Sequence, residues 1–257
     1  MSVLSNSSRE NCQNSRRGHR YWTSQKKCRL NIMWPEGHWE VSFVDTHEKM
    51  MAWVNKYAVE CLIFDCEWSM VDGVGLIQFA TLPSSGQVLV VDCTRVRLVH
   101  VKDLFQNLKM VGWATSNDVR HLQNKQPNII DTNVIDLQLL SNISSNISLC
   151  EKMTEDDRNK IEAYQPLDKH GTPHTGAWSL DDMATCFLGH IAKIPLKKHP
   201  QWSNPNWRLY DRDIHYAAND VIGLAYIYDL LKYVYKSEDK KSEISNLAPN
   251  KSVELLF

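Results

Sequence analysis

The run from Cys61 to Trp68, which reads CLIFDCEW, is the feature that most constrains the fold of this chain. Its first half is apolar and contains neither Gly nor Pro, which predicts a buried strand. Successive side chains of a strand alternate between two faces, so Asp65 and Glu67 are expected to point to the same side. Two adjacent carboxylates repel each other, and a divalent cation that takes oxygen ligands removes that repulsion. The simpler alternative is a strand that ends at a solvated edge.

The segments after this strand predict an α/β domain. Residues 75–81 and 87–92 have the composition of two further strands, and Pro83 to Gly86 between them predicts a hairpin turn. Helices and strands then alternate, at 96–108, 109–114, 117–123, 134–137 and, as the longest helix, 211–235. This order predicts an α/β fold with a mixed sheet of five or six strands flanked by helices.

The helix predicted over 211–235 carries a carboxylate within its apolar stripe. Asp220 lies on that stripe, and Tyr216 lies one turn earlier on the same helix face. A carboxylate that faces a core requires a positive partner, because an isolated buried charge is strongly unfavourable. That partner is either a metal ion or an Arg or Lys side chain, and in the second case Tyr216 only packs. A fourth acid, Asp118, is predicted in the first turn of the helix over 117–123.

Composition divides the chain into an expected domain at 39–236 and two flanking segments. Residues 1–38 begin with seven basic side chains against one acidic side chain in the first 30 positions, which predicts a disordered basic arm. Such an arm is an import signal, a phosphate contact or simply a solvated tail. Residues 237–257 are of mixed charge and are expected to be mobile.

Charge, cysteine content and hydropathy indicate the cellular compartment of the protein. The net charge of −1 gives no overall basic signal, so contacts to nucleic acid are expected to be local. The seven scattered cysteines favour reduced thiols. No apolar run is long enough to span a membrane, and the polar start does not match a secretory signal. These features predict an intracellular protein of the nucleus or cytoplasm, with no contact to a membrane.

Three acidic motifs follow one another along the chain, namely Phe64-Asp65-Cys66-Glu67-Trp68, then Val111-Gly112 followed by Asp118, then His215-Tyr216-Ala-Ala-Asn-Asp220. In this order they resemble the three motifs of the DEDDy 3′–5′ exonucleases, and most of all the Werner-syndrome type of exonuclease domain. The resemblance covers residues 40 to 235. It implies a ribonuclease-H-like fold and a nuclease that depends on two divalent metal ions, Mg²⁺ or Mn²⁺.

The resemblance also implies a role for each motif residue. Asp65, Glu67 and Asp220 would hold the first metal ion, and Asp65 would bridge to the second, to which Asp118 contributes through its water shell. Tyr216 would orient the attacking water. The expected partner is a nucleic acid with a free 3′ end, and the expected products are nucleoside 5′-monophosphates. Protein partners are not predicted.

Substrate contacts are expected around the last two motifs. Lys197 and Lys198 are candidates for phosphate contacts, and Trp68 and Trp207 for stacking on bases, although each Trp has core packing as its alternative. The choice between RNA and DNA stays open, since only a contact to the 2′-hydroxyl separates them. Two other classes are a non-catalytic module that binds nucleic acid or protein, and an enzyme for small nucleotides.

Overall fold

The structure is a computed structural model that describes residues 29–34, 37–57, 61–130, 134–138, 179–188, 201–207 and 209–235. Within these ranges one mixed sheet is flanked by helices. Its strands are β1 (Arg29–Trp34), β2 (Gly37–Val44), β3 (Cys61–Ser69), β4 (Gly73–Ala80), β5 (Gln87–Asp92), β6 (Lys109–Gly112) and β7 (Val134–Asp136). The helices are α1 (His47–Tyr57), α2 (Leu98–Asn107), α3 (Ser116–Lys125), α4 (Leu180–Leu188) and α5 (Asp211–Tyr235).

The seven strands lie in the order β1-β2-β5-β4-β3-β6-β7. The meander β3-β4-β5 is antiparallel, as the turn at Pro83 to Gly86 predicts. The pairs β2 with β5, β3 with β6 and β6 with β7 are parallel. Along the chain, the connection within each of these pairs includes a helix, namely α1, α2 and α3 in that order. The mixed α/β architecture predicted from the sequence is therefore present.

Local sequence signals account for several element ends. The Thr46 hydroxyl accepts a hydrogen bond of 3.3 Å from the Lys49 backbone N–H, which caps the first turn of α1. Helix α4 starts directly after Ser179, and α5 covers the residues predicted for it. None of the described helices combines the length and apolarity needed to cross a membrane.

Each face of the sheet buries its own hydrophobic core. Helix α5 covers one face, where Ile63 of β3, Leu76 of β4 and Val90 of β5 are fully buried. Helices α1 and α2 cover the opposite face, where Phe64 and Phe79 pack with the helices. We call these the α5 face and the α1/α2 face. The period of two along each strand separates the residues of β3 and β4 between the two cores.

The strand count and the start of the sheet differ from the prediction. The sheet has seven strands instead of five or six, because β1 lies inside the stretch 1–38 that was predicted as an arm. This strand pairs in antiparallel register with β2, and Ile32 is 2% exposed. The alternation of Leu30, Ile32 and Trp34 with Arg29, Asn31 and Met33 is the strand signal that the basic charge of this stretch obscured.

Candidate active site

Strand β3 brings the first two acids to the α5 face. Phe64 and Cys66 are buried on the α1/α2 face, and alternation turns Asp65 and Glu67 to the other side, where both are partly exposed. Burial raises the pKa of the Cys66 thiol well above its ordinary value, and the charges of Asp118 and Asp65 act in the same direction. The neutral thiol therefore anchors the strand between its two carboxylates.

Helix α5 brings the third acid to the same place. Ala217, Ala218 and Val221 are fully buried against the sheet, and Asp220 between them is 7% exposed. One carboxylate oxygen each from Asp65, Glu67 and Asp220 lies within 4.8 Å of the other two. We call these three residues the acidic cluster. Residues 155 positions apart thus converge on one point at the edge between the sheet and α5.

The acidic cluster has the chemistry of a divalent metal site. Two unit charges at 4.8 Å repel each other by about 3 to 4 kcal/mol at an effective dielectric constant near 20. A divalent cation between the oxygens turns this repulsion into attraction, and Mg²⁺ and Mn²⁺ prefer carboxylate ligands. The residues present therefore fit such an ion.

The fourth predicted acid, Asp118, is not a member of the acidic cluster. Its Oδ1 accepts a hydrogen bond of 2.9 Å from the indole N–H of Trp68, the residue directly after Glu67. The Trp68 ring stacks on His121, one turn after Asp118 on α3, with 4.0 Å between ring centroids. Burial raises the pKa of Asp118 to about 7; the Trp68 hydrogen bond opposes this shift, and the charge of Asp136 adds to it.

Asp136, at the end of β7, fixes the start of α3 and was missed by sequence reasoning. Its carboxylate accepts hydrogen bonds from the backbone N–H groups of Ala114 and Thr115, at 2.9 and 2.8 Å, and from the Thr115 hydroxyl. Ala114 has a positive φ of 51°, which a non-glycine residue adopts only when its surroundings hold it. Asp136 thereby positions the helix that carries Asp118. Its place in a Val-Ile-Asp strand end was the only available signal.

The segment of residues 201–207 packs against Tyr216 and positions it. The Trp202 ring stacks on Tyr216 with 6.2 Å between centroids, and Trp202 is 4% exposed. Gly75 of β4 contacts this segment, and it is the extra residue of the β-bulge that lies opposite Glu67 and Trp68. A Cβ on Gly75 would lie 2.1 Å from the Trp202 carbonyl, so only glycine admits this close approach. The Ser203 hydroxyl closes the contact by donating to the Gly73 carbonyl.

Comparison with known proteins agrees with this geometry. The family model described as 3′-5′ exonuclease matches residues 41–235. The chain belongs to this exonuclease family. It is accordingly a hydrolase, and nucleic acid is the substrate that its family implies. The match confirms the wider exonuclease resemblance, while the narrower Werner-syndrome type stays a prediction. A search of curated proteins found no match.

Solved structures show that the exonuclease shares its fold with other proteins. The EXO domain of Aedes aegypti Nibbler is 20% identical with a TM-score of 0.55, and the match covers 84% of this chain and 94% of that one. Brucella melitensis NrnC is 12% identical, with a TM-score of 0.53 and coverages of 84% and 89%. Trypanosoma brucei RNase D is 17% identical, with a TM-score of 0.53 and coverages of 83% and 71%. The ribonuclease-H-like fold is confirmed.

The predicted substrate contacts of the exonuclease have different outcomes. Lys197 and Lys198 lie outside the described residues. Trp207 is partly buried against the core of the α5 face, in line with its packing alternative. Trp68 is partly exposed, and its indole N–H is already committed to Asp118. A stacking role for either Trp therefore stays a prediction.

Proposed function

We propose that this exonuclease removes nucleotides one at a time from the 3′ end of RNA or single-stranded DNA, using two divalent metal ions. The convergence of Asp65, Glu67 and Asp220 within 4.8 Å is the observation that carries the proposal. The products are nucleoside 5′-monophosphates. One solved structure of Brucella melitensis NrnC contains bound Mg²⁺, and its fold is similar to that of this chain with a TM-score of 0.51, which supports the choice of ion.

The acids divide the work of holding the ions. Asp65, Glu67 and Asp220 would hold the first ion, and Asp65, within strand β3, would also be a ligand of the second. Asp118 would contribute to the second site through a water molecule, and the hydrogen bond from Trp68 fixes the orientation of its carboxylate. When bound, the two ions lower the pKa of the attacking water and stabilise the charge on the leaving oxygen.

Tyr216 is suited to orient the attacking water. It lies four residues before Asp220 on α5, so both side chains project from the same helix face. A phenol donates and accepts hydrogen bonds without changing its protonation state near neutral pH. Stacking on Trp202 holds the ring in place. Burial lowers the pKa of the preceding His215 from its ordinary value, which favours the neutral imidazole.

The test uses a 5′-labelled single strand, prepared once as RNA and once as DNA, incubated with Mg²⁺ or Mn²⁺. We expect a ladder that shortens from the 3′ end and disappears in EDTA. Asp65→Asn and Asp220→Asn each remove several kcal/mol of metal-dependent stabilisation, so the rate is expected to fall by about a thousandfold. Tyr216→Phe keeps the ring and removes the hydroxyl, and a fall of about a hundredfold is expected.

Asp45→Asn is the matched control, because Asp45 lies at the start of α1 and is paired with Lys49 and Arg95. This variant should cleave as the wild type does. Cleavage that survives in EDTA or in Asp65→Asn would contradict the metal mechanism. Binding of both strands without cleavage under either metal would instead support the non-catalytic binding module.

A further inference from the structure

Gln78 is a buried amide at the centre of β4 that the mechanism above does not use. Its side chain lies on the α5 face, between Leu76 and Ala80 of the same strand, and the residue is 0% exposed. Neither Oε1 nor Nε2 of its amide has a hydrogen-bond partner among the described residues. A buried polar group in this state costs about 1 to 3 kcal/mol relative to a satisfied one.

The register of the sheet places Gln78 directly opposite Asp65. Asp65 on β3 pairs with Gln78 on β4, and Gln78 pairs in turn with Val90 on β5. Directly opposite residues of an antiparallel pair share one face, with Cβ atoms about 5 Å apart. On its other side Gln78 faces the apolar side chain of Val90, and the polar residue of β5 on this face, Asp92, pairs with Leu76 and is therefore diagonal to Gln78, at the longer cross-strand distance of about 7 to 8 Å. Asp65, the first acid of the acidic cluster, is therefore the polar residue directly opposite Gln78 on this face.

The chemistry of the two groups is complementary. An ionised carboxylate accepts up to four hydrogen bonds through its two oxygens, and a side-chain amide has two N–H donors. A metal ion occupies only part of the Asp65 carboxylate, and ligating carboxylates in metal sites are in turn hydrogen-bonded by neighbouring groups that fix their orientation. Gln78 has N–H donors, a side chain long enough to reach a cross-strand neighbour, and a position on the same face of the sheet as Asp65.

We propose that Gln78 is a positioning residue of the metal site, whose amide N–H₂ group donates to Asp65 and fixes the orientation of that carboxylate when the ion binds. The proposal rests on the proposed metal-dependent function. It explains why a fully buried position between apolar neighbours holds an amide that has no hydrogen-bond partner in the described part of the chain. An apolar side chain there would serve packing better.

The test compares the wild type with Gln78→Met, which keeps the length of the side chain and removes both polar atoms. Mn²⁺ binding is measured by calorimetric titration of the metal-free protein, and the melting temperature is measured in EDTA. We expect Mn²⁺ affinity to fall by about ten- to a hundredfold. The melting temperature of the metal-free protein should stay the same or rise, because a buried group without a partner has been removed.

Gln87→Met is the matched control, since Gln87 is at the start of β5 and its neighbours Val88 and Leu89 alternate so that it faces away from the acidic cluster. Its Mn²⁺ affinity should equal that of the wild type. Gln78→Leu is the second apolar variant, and it should reproduce the result of Gln78→Met.

The outcomes separate this proposal from the proposed function. Unchanged Mn²⁺ affinity in Gln78→Met or Gln78→Leu, with a wild type that binds Mn²⁺ and cleaves, would overturn the role of Gln78 alone. A lower melting temperature of both variants in EDTA would show that the amide serves the fold, and would also overturn it. A wild type that does not bind Mn²⁺ would overturn both proposals.

Discussion

The two faces of the central sheet use the same strands for different purposes. On the α1/α2 face the core residues of β3, β4 and β5 are apolar or Cys, and they include Phe64 and Phe79. On the α5 face the same three strands carry Asp65, Gln78 and Asp92 among their apolar residues. Since neighbouring residues of one strand face opposite ways, each strand anchors itself with one side and presents polar groups with the other.

This difference separates stability from chemistry within a few ångströms. Packing on the α1/α2 face holds β3 in place, and the acids on the opposite side of β3 can then be kept close together despite their repulsion. Substitutions on the α1/α2 face should therefore change the free energy of unfolding, while substitutions at the acidic cluster should change the rate.

The largest expected effect on stability is that of Phe105→Ala. Phe105 is fully buried on α2, in an edge-to-face contact with Phe64 at 5.2 Å and a tilted contact with Phe79 at 6.0 Å between centroids. Removing the ring should lower the free energy of unfolding by about 3 to 5 kcal/mol. Urea denaturation measures this, and the cleavage rate per folded molecule should be unchanged.

Val99→Ala on the same helix is the control, because Val99 is 40% exposed and its truncation should change stability little. A folded Phe105→Ala protein that has lost its activity would show that the two faces are not separable.

The part of the site that sequence could predict is the part set by periodicity. Asp65 and Glu67 share a face because they are two residues apart on a strand, and Asp220 interrupts an apolar helical stripe. Both patterns are local, and both have the geometry that was expected of them. The strand at 29–34 also has a local alternating pattern, but the many basic residues before it led to the prediction of a disordered arm.

The remaining features of the site depend on register and on contacts between distant segments. The pairing of Gln78 with Asp65 follows from the register of β3 and β4, which includes a bulge that no local pattern indicated. The hydrogen bond from Trp68 to Asp118 joins residues 50 positions apart. Asp136 acts on the start of α3 from another strand. Such contacts are set by tertiary packing, so a single sequence did not reveal them.

An intermediate effect is expected from Gly75→Ala, which tests whether the α5 face tolerates a change in its backbone contacts. The added Cβ would lie 2.1 Å from the Trp202 carbonyl carbon and oxygen, so the backbone of residues 201–207 has to move. Overpacking of this kind costs about 1 to 3 kcal/mol in stability. Because Trp202 stacks on Tyr216, a displacement of about 1 Å is expected to lower the cleavage rate by about a hundredfold.

Gly37→Ala is the matched glycine control. Its Cβ would lie 3.1 Å from the Tyr226 hydroxyl, the end of a side chain that can adjust. We expect a small loss of stability and an unchanged rate. Equal rate losses in the two variants would show that the contact of Gly75 with Trp202 has no special role in placing Tyr216.

The smallest expected effect is that of Asp45→Asn, because this acid has basic neighbours and lies outside the acidic cluster. Asp45 pairs with Lys49 at 2.7 Å and with Arg95 at 2.6 Å. Burial raises the pKa of Asp45, but the hydrogen bond and charge of Lys49 and the charge of Arg95 outweigh burial, so the net shift of the pKa is downward from 3.8. An acid with a lowered folded pKa stabilises the fold when it is ionised.

The sign of the pH dependence follows from that shift. The stabilisation by Asp45 is fully present well above pH 3.8, and it is lost as the pH falls below 3.8 and through the lowered pKa of the folded state. Asp45→Asn should therefore lower the free energy of unfolding at pH 7 by less than about 1 kcal/mol, since the pairs are partly exposed. The difference should shrink in 1 M salt and in strongly acidic solution. Urea denaturation at several pH values measures this difference.

Asp220→Asn, the same change of side chain on the α5 face, is expected to lower the cleavage rate instead. A comparable loss of rate in Asp45→Asn would contradict the division between the two faces.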